Sequence, residues 1–100
     1  MSYAKTEMLV LQWGTARGIV QNSTPKAQAW KTVEEVNELL VAIENGDRDE
    51  MADAYGDILV TLVMGCACAD LDLVECFKGA YEEIKDRKGY LNKEGIFVKQ

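Results

Sequence analysis

The sequence predicts an all-α, four-helix bundle-like single domain over residues 1–100, with a short C-terminal extension. Three observations carry that expectation. Apolar residues recur at three- and four-residue spacing through most of the chain, the period of a helix rather than a strand. Capping signals sit at the ends of those periods: Thr24-Pro25, Asn45-Gly46, Asp47 with Glu50, and Asp72 with Glu75. The only proline stands at a helix start and interrupts nothing.

Taken in order, Met8, Leu9, Leu11, Trp13, Ala16 and Ile19-Val20 fit one amphipathic helix from Ser2 to about Val20, weakened by Gly14 and Gly18. Gln21-Asn22-Ser23 is a polar loop. Thr24 then caps a second helix, with Pro25 at its first position, that continues to Glu44 and stops at the left-handed signal Asn45-Gly46. Its strongest apolar stripe is Val33, Val36, Leu40 and Ile43. Asp47 and Glu50 form a capping box opening a third helix that reaches about Ala69 and is apolar on nearly every side after Asp57. Such a helix belongs at the centre, and its greasiness predicts completion of the bundle by a second subunit, as a homodimer or homotetramer. Asp72 and Glu75 start a fourth helix with Val74, Phe77, Tyr81 and Ile84 on its apolar face, ending at Gly89. Tyr90 to Val98 reads as a small hairpin or ordered extension.

Composition removes several function classes. A net charge of −6 argues against a nucleic-acid polymer or an anionic membrane as partner, although a small phosphate ligand held through metal stays open. The chain has no histidine, which excludes a histidine base, a histidine-ligated zinc and a nucleophilic triad. Cys66, Cys68 and Cys76 make no disulfide framework; Cys66 and Cys68 diverge by about 160° on a helix, and all three read as core fillers in a reducing cytosol. The apolar run Ile58 to Ala69 is too short to cross a bilayer, and the expected location is cytoplasmic.

What remains is a set of acids. Glu35 and Glu38 lie about 60° apart on the second helix. Glu50, Asp53 and Asp57 share a narrow stripe that continues into Thr61, Met64 and Cys68, on the side expected to be buried. Like charges on a burying face are costly unless neutralised, and a hard divalent cation does this with oxygen ligands. Each acid also has a plain structural role available. Glu34 suits a solvated face, Glu35 has Lys31 four residues before it, and Glu50 is explained by the capping box alone. Glu38 lies nearly opposite the apolar stripe of its helix and would face solvent in a monomer.

Glu35-Val-Asn-Glu38-Leu, the turn into Gly56-Asp57-Ile58-Leu59-Val60, Asp70-Leu71-Asp72-Leu73 and Tyr81-x-x-Ile84-Lys85-Asp86-Arg87-Lys88-Gly89 together resemble the MazG-like proteins. These are all-α nucleoside triphosphate pyrophosphohydrolases related to the all-α dUTPases and dCTPases, and the resemblance runs from about Pro25 to Val98. The family pattern is two glutamates three apart followed by Glu-x-x-Asp. Glu35 and Glu38 meet the first half. In the second half, Ala54 stands where a glutamate would precede Asp57, while Glu50-x-x-Asp53 matches the motif as written. Asp53 and Asp57 are the preferred pair.

The resemblance implies Mg2+, with Mn2+ as a substitute, bound by acids drawn from Glu35, Glu38, Glu50, Asp53 and Asp57 together with triphosphate oxygens. It implies a water oriented or deprotonated by Glu38, attack at the α-phosphorus, and release of pyrophosphate and a nucleoside monophosphate. Lys85, Arg87 and Lys88 are the expected phosphate holders, although cations also suit a helix C-terminus without any ligand. Trp13 and Asn22, with Trp30 as a further candidate, are expected at the base, against a core role for a helical tryptophan. Two other readings stand beside this one: a helical oligomerisation or partner-binding module, and an inactive nucleotide-binding relative.

Overall fold

A computed structural model describes residues 2–100. Five helices and one small hairpin follow in order: α1 (Tyr3–Ala16), α2 (Ile19–Asn22), α3 (Pro25–Glu44), α4 (Arg48–Cys68), α5 (Leu73–Ile84), β1 (Gly89–Leu91) and β2 (Phe97–Lys99). The N-cap half of each capping signal named from sequence forms. Among the described residues the return bond from Glu50 or Glu75 to the cap amide, which would complete a box, does not, and the Asp47 amide goes to the Ala42 carbonyl. Thr24 Oγ1 accepts from the Ala27 amide, Asp47 Oδ1 from Glu50, and Asp72 Oδ1 from Glu75.

The first helix is not continuous. Arg17 caps α1 and Gly18, at φ 78°, takes the left-handed turn that starts the short α2. Two further left-handed residues close the ends of α3 and α4. At Gly46 (φ 65°) the Asp47 amide donates to the Ala42 carbonyl at 3.0 Å. At Asp70 (φ 59°) the Leu71 amide donates to the Cys66 carbonyl at 2.7 Å. Both are six-to-one closures that satisfy a helix's last carbonyls and turn the chain back.

α4 is the centre: it packs along α3 and also touches α1, α2 and α5. It is 21 residues long, and its most apolar 18-residue window has a mean hydropathy of 1.4, which is long and apolar enough to cross a bilayer. The Ile58–Ala69 run alone was expected to be too short, but the helix containing it is not; a core helix touched by four others has the same composition. Ala54 and Thr61 are buried where α4 meets α3, and Thr32 and Thr61 hydroxyls lie 2.7 Å apart across that seam. Met64 is the most buried large side chain, seated beneath Gly14 of α1, where a Cβ would come within 2.6 Å of its Cε.

The seam face of α3 is Gln28, Thr32, Glu35, Leu39 and Ala42, a three-four stripe of half-buried and buried residues. The apolar stripe read from sequence, Val33, Val36, Leu40 and Ile43, lies on another face and is exposed. Small and polar side chains let α3 and α4 approach closely, and the larger ones are left outside. The apolar face of α5 is likewise open, with Phe77, Tyr81 and Ile84 exposed and Tyr3 edge-on to Phe77 at 6.4 Å.

α5 ends at Ile84, five residues before Gly89. The positions one turn beyond Ile84 are Arg87 and Lys88, so no apolar side chain holds another turn. Gly89 instead opens β1, paired antiparallel with β2 in the register Tyr90↔Val98. A Cβ at Gly89 would strike the Val98 carbonyl and the Phe97 ring. Asn92 Oδ1 accepts from the Glu94 and Ile96 amides and organises the turn. The extension is therefore a hairpin.

Candidate active site

The acids of α3 and α4 divide by burial. Glu35 keeps 7% of its surface, and among the described residues its Oε2 is a buried side-chain oxygen with no hydrogen-bond partner. Its other oxygen, Oε1, lies 3.6 Å from Lys31 Nζ, which also reaches Glu34 Oε2 at 3.3 Å. The neighbouring Glu38 carboxylate raises the proton affinity of Glu35 above the ordinary glutamate value. Burial pushes the same way, and Lys31 opposes both. The register set by Thr32 and Thr61 places Glu35 level with Ile58, and Leu39 level with Ala54.

Glu38 is exposed and shares a hollow of about 370 Å³ with Glu50, walled by Val41, Ala42, Asn45 and Asp47. α4 turns Met51, Ala54, Ile58 and Thr61 toward the seam, so Asp53 and Asp57 fall beside that stripe and are exposed. The sequence places Glu50, Asp53 and Asp57 on the buried side, but all three are exposed, and of the acids of this pair of helices Glu35 is the buried one. The reason is rotational: the small Ala54 occupies the seam position that lets the helices close. Asp57 lines a separate hollow of about 390 Å³ with Thr6, Leu9, Val10, Trp13 and Val60. Asp53 lines neither. Among the described residues, no three acids or thiols converge on one point as a ready-made metal cage.

The expected substrate residues lie further out. Lys85 caps α5 and pairs with Glu82 at 2.8 Å. Arg87 and Lys88 stand in the turn before β1, all three are exposed, and α5 does not touch α3. Asn22 Nδ2 donates to the Gly18 carbonyl at 2.8 Å. Neither tryptophan is core: Trp30 is exposed, and Trp13 carries the Arg17 guanidinium 4.6 Å from its ring centroid. The cysteines are less buried than expected. Cys66 and Cys68 are half-buried and Cys76 is exposed. Burial, followed by the neighbouring Cys76 thiol, pushes the Cys66 thiol up.

With this geometry in place, the model of the MazG nucleotide pyrophosphohydrolase domain matches residues 23–91. The chain belongs to that family. Membership assigns the MazG domain to the nucleotide pyrophosphohydrolases, which are hydrolases, and the matched stretch contains the Glu35–Glu38 pair and the whole of α4.

The chain is also similar to an uncharacterised 18.2 kDa protein from the rep-hol intergenic region of Haemophilus phage HP1 (strain HP1c1), at 36% identity over 53 residues. That alignment covers 53% of this chain and 32% of the phage protein, so the match spans about a third of the relative's length. No solved structure matches the chain.

One functional contact has no local sequence signal, and one residue read from sequence gains a larger role. Glu7 of α1 reaches across to accept the Val74 amide at 2.9 Å and so caps α5 from another helix. Nothing local in the sequence announces it. Lys31 was read as an ordinary surface partner; the burial of Glu35 makes it a counter-ion at a protected carboxylate.

Proposed function

We propose that the MazG domain hydrolyses nucleoside or deoxynucleoside triphosphates between the α- and β-phosphates, with Mg2+ or Mn2+, serving control or cleaning of the nucleotide pool. The observation that supports this most is Glu35: a carboxylate oxygen buried without a partner, beside a second carboxylate, in a chain of this family. Buried charge without compensation is unfavourable, and a divalent cation supplies the missing partner.

The donor set fits magnesium, which keeps several waters and uses few protein carboxylates plus substrate phosphate. Glu35 and Glu38 would hold the ion, with Glu50 available from the hollow it shares with Glu38 and Asp53 and Asp57 reserved for a second ion or for charge balance. When bound, the metal offsets triphosphate charge and makes water a better nucleophile at neutral pH.

The chain's own groups do the remainder. Glu38, on the open lip of the seam, accepts the proton of the attacking water. That oxygen bonds to the α-phosphorus, the bond from the α-phosphorus to the bridging oxygen breaks, and pyrophosphate leaves. Trp13 offers a face for the base near Asp57. Because α5 does not touch α3, Lys85, Arg87 and Lys88 would meet the phosphates from a second copy, as a dimer or tetramer provides.

Glu38→Gln tests the assignment. The variant keeps the helical circular dichroism of the parent and loses at least about 100-fold in turnover. Full turnover by Glu38→Gln would remove the proposed base. Magnesium-dependent nucleotide binding without hydrolysis in the parent would favour the inactive-relative reading, to which buried Ala54 lends support.

A further inference from the structure

Each Glu35 oxygen has a different fate. Oε2 is enclosed and unpartnered, while Oε1 faces the Lys31 ammonium. Among the described residues the ion pairs are Lys31 with Glu34 and Glu35, Lys78 with Glu75, and Lys85 with Glu82. Lys31 is thus the one cation there paired with any acid assigned to metal. It lies one turn before Glu35 on the flank of α3 that also carries Glu38, so an ion held between the two glutamates falls within reach of its ammonium.

We propose that Lys31 is a resident counter-ion which a divalent cation must displace from Glu35, and that its release couples metal binding to arrival of the triphosphate. The inference rests on the metal-dependent reading above. Lys31 supplies one charge to one oxygen of Glu35 from a half-exposed, flexible stem. A divalent ion supplies two charges to both glutamates, and the two cations repel each other at that spacing. Lys31 therefore lowers the affinity for metal alone. Once displaced, the ammonium remains tethered at the edge of the site, where a triphosphate brings negative charge and gives it a new partner. Metal and nucleotide then assist each other, and the assistance is reciprocal.

The test is a Mn2+ titration of the full chain, followed by the electron paramagnetic resonance signal of free Mn2+. Four proteins are compared: parent, Lys31→Met, Lys31→Arg, and Lys26→Met as a control for the loss of a remote charge on the same helix. Lys31→Met binds Mn2+ roughly three- to tenfold more tightly than the parent, while Lys31→Arg and Lys26→Met stay within about twofold of it. Adding a non-hydrolysable α,β-methylene nucleoside triphosphate tightens Mn2+ binding more in the parent than in Lys31→Met. Equal or weaker binding by Lys31→Met, with the parent binding normally, overturns the role of Lys31 and leaves the metal site standing. A parent that binds no Mn2+ with or without the nucleotide overturns both.

Discussion

Glu35 is where sequence and structure part most instructively. From sequence it was one of two glutamates with a lysine nearby, and periodicity pointed the core-facing side of its helix at Val33, Val36, Leu40 and Ile43. The structure buries Glu35 instead, because α3 presents small and polar residues to α4. Hydrophobic periodicity ranks faces by greasiness and cannot tell a face covered by this chain from one left open. The N-caps Thr24, Asp47 and Asp72 were legible, since such a cap acts over three residues and needs no tertiary partner; the Glu7 contact, supplied from another helix, was not.

The raised proton affinity of Glu35 fixes a direction for pH. The folded metal-free protein holds that proton to higher pH than the unfolded chain does. The stabilisation is complete below the ordinary value of 4.5 and fades as pH rises through the folded value. Glu35→Gln, melted without divalent ions at neutral pH, should gain about 1 kcal/mol, roughly 4–8 °C for a domain of this size. It should also lose the stabilisation that Mg2+ gives the parent. Asp70 poses a backbone question, since it holds φ 59° without being glycine. Asp70→Gly should raise stability by about 0.5–1 kcal/mol in denaturant titration.

At the scale of elements, the order of the four principal helices was legible and their ends less so. The break at Arg17-Gly18 was visible only as a weakness, because a glycine in a helix costs about 1 kcal/mol and tertiary contacts decide whether it becomes a turn. The early end of α5 follows from Arg87 and Lys88 standing one turn beyond Ile84, where an apolar residue would be needed to hold the helix. Gly14 and Gly89 are required by close approach rather than by backbone angle. Gly14→Ala pushes a methyl group against buried Met64 and should cost about 1–3 kcal/mol, less the gain in helix propensity. Gly89→Ala should unpair β1 from β2, read as loss of the cross-strand nuclear Overhauser contacts between Tyr90 and Val98, while the helices persist.

The whole molecule is open for its size. It exposes 7646 Å², where a folded monomer of this mass exposes roughly 5,700 Å². Its radius of gyration is 15.6 Å, against about 13 Å for a compact chain of this length. Among the described residues the buried apolar core is Ala42, Ala54, Val63 and Met64, while the stripes of α3 and α5 stay uncovered. An excess near 2,000 Å² per chain exceeds the roughly 800 Å² that each partner contributes to a standard interface. Leu40→Glu, on the most open part of the α3 stripe, should therefore shift the mass measured by light scattering downward. No change from a parent that is already monomeric would remove the assembly from the account. The chemistry itself is tested most directly by the products. Incubated with a panel of nucleoside triphosphates, the protein should release nucleoside monophosphate and pyrophosphate in equal amounts only when Mg2+ or Mn2+ is present. Orthophosphate in place of pyrophosphate, or undiminished hydrolysis after chelation, would contradict it.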